Sequence, residues 1–547
     1  TPIKDVFQRI ESRIAEATAK NPERLRDAQW LKRHVGFIGE VFLGHLRYGT
    51  FGKNNIENVH PVSRENNWMT RSLVLAGNFN LIELGQYPPA TTDTVTILER
   101  IGHFLDREND DKYRYFKDKG YSKQQITDLL AKHIDLKEVV SLAARRWDGG
   151  YVMAGMIGHG DAFVMRDPCG IRPAFYYRDD EVVVAASERA VIQTVFNKPY
   201  EQVRELEPGH VLIVRRDGDF SVEPFTAPQP IRPCSFERIY FSRGSDRDIY
   251  RERKRLGALL VPQILRSIDH DIENTVFSYI PNTAESAFFG LVGGLDEYCQ
   301  HIRAERILHE NGSLTEQRLK EILRFKPRFE KVAIKDVKMR TFITQDNDRD
   351  DLVAHVYDIT YGTIRAGKDN LVILDDSIVR GTTLRQSIVR ILDRLEPRKI
   401  VVCSSAPQIR YPDCYGIDMS RLGDFVAFRA AVELLRESGR QTLIDDVYRE
   451  CLEQLQGERS QAANCVKRIY EPFTDEQISA KIAQIIKAPD IRSQVEVIYQ
   501  TVPNMHEAIP AHGGDWYFTG DYPTPGGNAV ADQAFVNFYE KRNERAY

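Results

Sequence analysis

The chain has few cysteines, and their arrangement excludes two common classes of protein. Seven occur among 547 residues, an odd number without short paired spacings, at Cys169, Cys234, Cys299, Cys403, Cys414, Cys451 and Cys465. A disulfide-stabilised secreted scaffold and a zinc finger both depend on paired cysteines. We therefore predict reduced thiols in a cytoplasmic protein, most of them buried as small hydrophobic groups.

The sequence also lacks long apolar runs and long basic runs. No apolar stretch reaches the length of a membrane span, and the first residues are polar and mixed in charge, unlike a secretory signal. The net charge is -4, so nucleic acid is not an expected partner. We predict a protein that binds neither a membrane nor nucleic acid.

A chain of 547 residues with 42% apolar and 28% charged residues is typical of a globular protein of two to four domains. Residues 1 to about 30 are expected to be helical. From Val41 short strands alternate with turns, and a helical stretch follows from about Thr94 to Leu142. Predicted strands lie at 42–48, 73–78, 151–157, 162–165, 174–177, 182–185 and 211–214. This order favours a sandwich of sheets with helices outside, and the Pro-rich stretch 224–233 marks its end.

The second half changes to a βα pattern, with predicted strands at 276–280, 371–374 and 400–403. Strands that alternate with helices are typical of a parallel sheet wound on both faces. From about residue 425 the pattern is mostly helical and ends in an aromatic, Gly- and Pro-rich tail.

Residues Leu371–Thr383, LVILDDSIVRGTT, are the most informative segment. A buried strand ends in Asp375 and Asp376, and a short loop leads into an amphipathic helix. Ligands of open α/β sheets bind at the carboxyl ends of strands, and a helix N-terminus attracts phosphate. Helix capping alone explains one hydroxyl or carboxylate of this run, whereas a phosphorylated sugar would engage all of it.

The segment resembles the phosphoribosyl pyrophosphate (PRPP) signature of type I phosphoribosyltransferases, in the form found in amidophosphoribosyltransferases. The resemblance implies that PRPP is bound by Asp375, Asp376, Ser377, Arg380, Gly381, Thr382 and Thr383. It also implies Mg²⁺ as the cofactor, bound by Asp375 and Asp376 with Thr283.

Two further segments of the second half are similar to loops of this family. Asn282, Thr283 and Ala284 match the pyrophosphate loop, although a plain turn before a helix explains them as well. The charged run 335–343, with Lys335 and Arg340, matches the mobile loop that closes over PRPP, and its alternative is a solvated segment. The run 404–412 also matches this family, but its residue types do not indicate a chemical role.

The first half, from residue 41 to about 230, resembles the glutaminase domain of class II amidotransferases. The resemblance implies that Arg47 binds the glutamine carboxylate, that Asp93 binds its amine, and that Asn78 belongs to an oxyanion-hole turn at 77–81. Taken singly, each residue could be an ordinary surface or turn residue. Phe79 replaces a glycine that the family usually has after the asparagine.

These glutaminases use an N-terminal cysteine as nucleophile, and the chain starts with Thr1 instead. We expect that the sequence lacks an upstream segment and, without it, does not hydrolyse glutamine but uses free ammonia; Thr1 as nucleophile is the weaker alternative. Some family members carry an iron–sulfur cluster on four cysteines. Cys234 lies at one ligand position, Cys414 is offset by one from another, and Gly514 and Tyr517 replace a later pair. A cluster needs its full set of thiolates, so we predict none.

The resulting fold prediction is α/β (α+β). An N-terminal Ntn-type αββα sandwich at 1–230 precedes a type I phosphoribosyltransferase domain with a doubly wound parallel sheet at 231–450, and a helical C-terminal extension covers 451–547. The resemblance implies an enzyme that makes 5-phosphoribosylamine from PRPP and glutamine-derived ammonia in purine synthesis. It further implies a homo-oligomer, dimer or tetramer, inhibited by purine nucleotides. The alternative is a non-catalytic regulatory protein that binds PRPP or a nucleotide; nucleobase phosphoribosyl transfer would leave the first half unexplained.

Overall fold

The computed structural model describes residues 3–46, 59–83, 93–310, 312, 314–335, 357–382, 384–416, 419–457 and 462–546. Among them, no helix combines the length and apolar character that a membrane span requires. Two helices come first, α1 (Ile3–Thr18) and α2 (Ala28–His34). The strand predicted at 42–48 does not form at 42–46, which have no regular structure, and its end lies outside the described residues.

Two antiparallel sheets build the rest of the first half. The larger has the order β1-β2-β3-β4-β8-β9 in the described part of the chain, and the smaller has the order β6-β5-β7. The strands are β1 (Val62–Arg64), β2 (Leu73–Glu83), β3 (Asp148–Ile157), β4 (Ala162–Arg166), β5 (Phe175–Arg178), β6 (Val183–Ala186), β7 (Arg204–Glu205), β8 (His210–Val214) and β9 (Phe220–Pro224).

The helices of this half are α3 (Asp93–Asp118), α4 (Lys123–His133), α5 (Leu136–Ala144) and α6 (Arg189–Phe196). Strand residues alternate between two apolar layers. Met153 and Ile213 face α3 and α5, whereas Val152 and Leu212 face the smaller sheet. The other face of that sheet packs on Ile192 of α6. The layers therefore run helix, sheet, sheet, helix, which confirms the predicted αββα sandwich.

The second half contains a parallel sheet with the order β11-β10-β14-β15-β16 among the described residues. Its strands are β10 (Thr275–Tyr279), β11 (Arg328–Phe329), β14 (Asn370–Asp375), β15 (Lys399–Ser404) and β16 (Gln494–Tyr499). A short antiparallel hairpin, β12 (Ala333–Lys335) with β13 (Tyr357–Ile359), stands beside it. Counted along the sheet, the order is 2-1-3-4-5, in which the chain changes direction between β10 and β14.

Helices cover both faces of the parallel sheet, which confirms the doubly wound prediction. Phe277 and Val372 pack toward α8 (Val261–Ser267) and α9 (Glu285–His309), whereas Val276 and Leu371 pack toward the opposite helices. The remaining helices are α7 (Arg247–Leu259), α10 (Glu316–Leu323), α11 (Val389–Asp393), α12 (Val426–Glu437), α13 (Thr442–Gln456), α14 (Asp475–Ile486), α15 (Val502–Ala508), α16 (Trp516–Thr519) and α17 (Pro525–Tyr539).

The C-terminal extension is mostly helical, as predicted, but it also contributes β16. This strand pairs in parallel with β15 along its whole length, from Lys399↔Gln494 to Ser404↔Tyr499. Its sequence, QVEVIY, is short and of mixed polarity, so its apolar pattern is weak. The neighbouring strand β15 makes its backbone hydrogen bonds possible.

Candidate active site

Two of the predicted loops follow the neighbouring strands β10 and β14 at the same edge of the parallel sheet. The strands pair in register from Thr275↔Asn370 to Tyr279↔Leu374. The Ile280 amide extends this ladder by donating to the Leu374 carbonyl at 2.8 Å. Because the strand order reverses here, the segments that follow β10 and β14 diverge beyond this point and leave a crevice. The predicted pyrophosphate loop and the acidic loop thus face the same crevice.

The acidic loop begins at the end of β14. Asp375 and Asp376 are half-buried, as is Ser377. An oxygen of Asp375 accepts a hydrogen bond from the Asp376 amide at 2.9 Å, and an oxygen of Asp376 accepts one from the Ser377 hydroxyl at 2.9 Å. These contacts orient both carboxylates at the carboxyl edge of the sheet. The oxygens of these two carboxylates are hard ligands of the kind that Mg²⁺ prefers.

The segment after β15 holds the acidic loop from behind. The Ser405 amide donates to the Asp375 carbonyl at 3.0 Å, and the Ala406 amide donates to the Asp376 carbonyl at 3.1 Å. The Ser405 hydroxyl donates to the same Asp376 carbonyl at 3.1 Å. The sequence assigned no chemical role to the run 404–412, and its polar residues gave no local signal of this contact. Its role in the structure is to position the loop that carries the two aspartates.

The end of the loop is fixed by groups in helix α12 and in the turn just before it. Arg380 forms an ion pair with Asp424 at 3.3 Å, and its carbonyl accepts a hydrogen bond from Arg429 at 2.5 Å. Gly381 has φ +69, a left-handed conformation that favours glycine. A Cβ there would lie 3.2 Å from the side chains of Val426 and Ile486. The backbone conformation therefore favours glycine at 381, and a larger residue would also fit tightly against the side chains beneath the loop.

The helix predicted after the loop starts as a π-helical turn at Leu384–Ile388 and continues as α11. Of its apolar residues, Leu384, Ile388, Val389 and Leu392 are buried, as is Leu395 just beyond its end, whereas Ile391 is half-buried. The helix ends at Asp393, before Pro397. Thr382 is half-buried at its start, and Thr383 lies outside the described residues.

The predicted pyrophosphate loop connects β10 to α9. Asn282 is exposed and Thr283 half-buried, whereas Ala284 is buried and occupies the N-cap position of the helix. The Asn282 carbonyl accepts from the Glu285 amide at 3.2 Å, which closes a turn. The plain reading as a turn before a helix is thus correct. The loop also lies next to the acidic loop, as its predicted role in binding requires.

The residues of the predicted mobile loop connect β12 to β13 along the chain. The Val332 amide donates to the Ser278 hydroxyl of β10 at 3.1 Å, so the base of the hairpin is tied to the strand that precedes the pyrophosphate loop. Lys335 is the last residue of β12 and pairs with Tyr357. The Lys335 side chain and Arg340 lie outside the described residues.

In the first half, the segment 77–81 is not a turn. It lies inside β2, where Asn78 pairs with Val152 of β3. The Asn78 side chain is exposed, and the Phe79 ring stacks on His60 with centroids 5.5 Å apart. The strand continues through Gly77 and Asn78 because both pair with β3, and this pairing overrides the preference of Gly and Asn for turns. Arg47 and the side chain of Asp93 lie outside the described residues.

Contacts near Asn78 join the two halves, and the sequence did not indicate them. The Asn80 side chain donates to the Cys414 carbonyl at 2.7 Å. Cys414 follows the run that supports the acidic loop. The strand that carries the candidate oxyanion donor is thereby connected to the segment behind the two aspartates.

The positions that match the ligands of the family's iron–sulfur cluster lie near one another in the structure. Cys234 forms a parallel bridge with Gly514, and the Trp516 indole donates to Asp413 at 3.1 Å. The Tyr517 ring packs on Phe236 with centroids 5.1 Å apart. Burial raises the pKa of the Cys234 thiol well above its usual range. Aromatic and hydrogen-bonded groups surround this thiol, and the absence of a cluster stays a prediction.

No family model matches the chain. It is 27% identical to the amidophosphoribosyltransferase of Pseudomonas aeruginosa over 424 residues, which cover 74% of this chain and 73% of that protein. It is also 27% identical to the amidophosphoribosyltransferase of Methanothermobacter thermautotrophicus over 431 residues, which cover 76% of this chain and 74% of that protein.

The fold is similar to that of the Bacillus subtilis glutamine PRPP amidotransferase complexed with ADP and GMP. The TM-score is 0.52 at 23% identity, and the likeness covers 88% of this chain and 82% of that chain. A structure described as the allosteric regulatory enzyme of purine biosynthesis gives a TM-score of 0.54 at 23% identity, with 88% and 81% covered. By sequence over about three quarters of its length, and by fold over more, this chain is similar to the amidophosphoribosyltransferases.

Proposed function

We propose that the chain is an amidophosphoribosyltransferase, which replaces the pyrophosphate at C1 of PRPP by ammonia and makes 5-phosphoribosylamine. One observation carries the proposal. The loop with Asp375 and Asp376 and the loop 282–284 follow adjacent strands at the point where the order of the parallel sheet reverses. The similarity to amidophosphoribosyltransferases supports the same reaction.

The proposed binding mode assigns each end of PRPP to one loop. The Ser377 and Thr382 hydroxyls and the backbone amides near Gly381 would bind the 5-phosphate, with Thr383 and Arg380 beside them. The carboxylates of Asp375 and Asp376 would accept hydrogen bonds from ribose hydroxyls. Residues Asn282, Thr283 and Ala284 would bind the pyrophosphate, and Lys335 and Arg340 would close over it.

The donor set also fits a magnesium ion. Asp375 and Asp376 are half-buried carboxylates, and Thr283 supplies a hydroxyl on the neighbouring loop. These are hard oxygen ligands, which Mg²⁺ prefers. When bound, Mg²⁺ would neutralise the charge of the departing pyrophosphate.

The proposed step needs little covalent chemistry from protein groups. The C1–O bond to pyrophosphate breaks, and pyrophosphate leaves with the electron pair. The nitrogen lone pair of ammonia forms the new C1–N bond, and the surplus proton passes to solvent. The positive charge that develops on the ribose ring is favoured by the nearby carboxylates, so positioning and electrostatics supply most of the rate.

With a cysteine nucleophile in place, the αββα half would release ammonia from glutamine. Its proposed substrate contacts are Arg47 with the glutamine carboxylate, Asp93 with the amine and Asn78 with the oxyanion. The Asn80–Cys414 contact supports this assignment, because it joins the strand of Asn78 to the PRPP half. Comparing glutamine with ammonium chloride as the nitrogen source measures how much this half contributes.

The direct test is release of pyrophosphate. The protein would be incubated with PRPP and Mg²⁺ at alkaline pH, with and without ammonium. We expect release that depends on both PRPP and ammonium. If PRPP binds, as measured by calorimetry, but no pyrophosphate appears, the regulatory binding protein becomes the correct interpretation. If PRPP does not bind, both functions are wrong.

We further propose inhibition by purine nucleotides and assembly as a homo-oligomer, dimer or tetramer. The similar Bacillus subtilis structure was determined with ADP and GMP, which supports nucleotide binding here. Added GMP and ADP should lower the rate of pyrophosphate release, and light scattering should give a mass of two or four chains. A monomeric protein insensitive to both nucleotides would contradict this part of the proposal.

A further inference from the structure

Two cysteines and an aspartate meet in the C-terminal extension, away from the loops that face the crevice. Cys451 belongs to α13, Cys465 begins the 3₁₀ turn 465–469, and Asp532 belongs to α17. One ligand atom from each of these residues lies within 4.8 Å of the others. Three separate elements therefore contribute to a single cluster.

The distances in the cluster suit a tetrahedral cation. The Cys451 sulfur and one oxygen of Asp532 are 3.6 Å apart. A zinc ion with bonds of about 2.3 Å to sulfur and about 2.0 Å to oxygen separates two such ligands by roughly 3.5 Å. The same Asp532 oxygen accepts from the Cys465 amide at 2.9 Å, which orients the carboxylate between the two thiols. A small movement of the Cys465 side chain would complete the set.

The Asp532 carboxylate is buried and only partly hydrogen-bonded within the described part of the chain. Asp532 is 0% exposed, and among the described residues its Oδ2 atom has no hydrogen-bond partner. Burial raises the pKa of Asp532 to about 7, although the Cys465 amide lowers it. A buried carboxylate without full pairing is costly unless it takes up a proton or a cation.

We propose that Cys451, Cys465 and Asp532 bind one Zn²⁺ ion. Two thiolates select a soft or borderline cation over Mg²⁺. Both thiols would lose their protons on binding, and water would occupy the fourth position. The ion would fasten α13, the 3₁₀ turn and α17 together and so stabilise the extension that packs beneath the acidic loop. The alternative is a disulfide between the two cysteines.

The metal content of the purified full chain tests the proposal. After dialysis without chelator, we expect about one zinc per chain by plasma mass spectrometry. Cys451→Ser, Cys465→Ser and Asp532→Asn should each lose most of it. Cys169→Ser, which changes a buried thiol in the other half, is the matched control and should keep it. Loss of zinc in the control, or stoichiometric zinc in Asp532→Asn, would overturn the assignment.

A second measurement keeps the test decisive if a variant folds poorly. Wild-type protein stripped with a mild chelator and loaded with Co²⁺ should show thiolate-to-cobalt charge-transfer absorption, and added Zn²⁺ should raise its melting temperature. Wild-type protein without zinc and without that absorption refutes the site. Loss of two hydrogens by intact mass, reversed by a reductant, establishes the disulfide instead. These readouts are independent of PRPP turnover.

Discussion

Aspartates stand at both ends of strand β14, and their surroundings differ. Asp369, just before the strand, is fully buried and accepts hydrogen bonds from Arg328 at 2.7 Å and from Arg365 at 2.9 Å. Burial opposes its ionisation, but the hydrogen bonds from Arg365 and Arg328 outweigh burial and lower its pKa. Asp375 and Asp376, at the other end, are half-buried at the crevice. The same residue type is thus structural at one end, whereas at the other end we propose that it binds a ligand.

The double change Asp375→Asn and Asp376→Asn should remove turnover without unfolding the protein. Neutral amides keep the shape of the side chains but lose the charge that we propose favours the cation-like ribose and holds Mg²⁺. We expect ammonium-dependent pyrophosphate release to fall about 100-fold or more. Asp369→Asn is the control, because it should lower the melting temperature while the folded protein keeps its turnover. Equal loss of turnover in both proteins would contradict the division of roles.

His512 makes folding sensitive to acid. Burial of the ring, followed by the nearby guanidinium groups of Arg238, Arg166 and Arg189, lowers its pKa to about 3. Its Nδ1 atom has no hydrogen-bond partner among the described residues. The unfolded chain, with an ordinary histidine, binds this proton below about pH 6.5 whereas the folded chain does not. Stability therefore falls as pH drops from about 6.5 toward 3.

Replacing His512 by Asn removes that proton uptake. The free energy of unfolding, measured by urea at pH 7 and pH 5, should drop less for His512→Asn than for wild type. The difference is at most about 1.4 kcal/mol per pH unit. His301→Asn changes an exposed histidine and should follow wild type. An unchanged slope in His512→Asn would refute the assignment.

Helices α7 and α9 cross with their backbones in contact, and this crossing sets the position of the predicted pyrophosphate loop. A Cβ on Gly257 of α7 would lie 1.8 Å from the Ala287 carbonyl oxygen. A Cβ on Gly290 of α9 would lie 1.8 Å from the Lys254 carbonyl oxygen. Glycine therefore allows close packing at both points, although it weakens the helix intrinsically. Because α9 begins directly after the loop 282–284, a shift of the helix would shift that loop.

Gly290→Ala should destabilise the protein by about 1–3 kcal/mol or more, because the new methyl group meets backbone that has no room to yield. Gly293 lies on the same helix, and a methyl group added there would meet no described atom within 4 Å. Gly293→Ala is therefore the matched control and should be neutral or stabilise by up to about 1 kcal/mol. Chemical denaturation of both variants decides the matter. Similar destabilisation of the two would refute close backbone packing at Gly290 as the cause, because the packing term applies to Gly290 alone.

At the scale of the whole molecule, Arg172 holds the two halves together. Its guanidinium is buried, donates to the Tyr415 carbonyl through Nε at 2.8 Å and donates to Glu237 at 2.6 Å. These contacts give Arg172 a structural role between the two halves. Tyr415 follows the segment behind the acidic loop, so Arg172 joins the sandwich to the segment that supports this loop.

Arg172→Ala should lower the free energy of unfolding by about 3–5 kcal/mol, because Glu237 is left as a buried charge without its cation. The double variant Arg172→Ala, Glu237→Gln removes that charge and should recover part of the loss, which denaturant unfolding of the single and double variants measures. No recovery would mean that the Tyr415 carbonyl, rather than Glu237, is the important partner.

The sequence predicted what local pattern determines. The continuous apolar runs at 371–374 and 400–403 predicted strands that are buried on both faces of a sheet. They form neighbouring central strands of the parallel sheet. The Asp375–Asp376 pair after a buried strand predicted a ligand loop at the carboxyl edge, and the structure places the loop there. Strand 162–165 and the helices between Thr94 and Leu142 followed their periodicity for the same reason.

Long-range contacts decided what local pattern left ambiguous. Segment 77–81 carries turn residues, yet pairing with β3 on one side keeps it extended. The weak pattern of 494–499 becomes a strand because β15 offers a free edge. Ser405 acquires its role from a partner about thirty positions earlier in the chain.

By itself, the sequence determined the two sheet architectures and the loop that carries the paired aspartates, because alternation of apolar residues and the end of a buried strand are properties of neighbours along the chain. Tertiary structure alone decided which distant groups meet: the support of that loop by the segment after β15, the anchor at Arg172, and the meeting of Cys451, Cys465 and Asp532. Their spacings follow no period, and only packing of separate helices brings such groups within bonding distance.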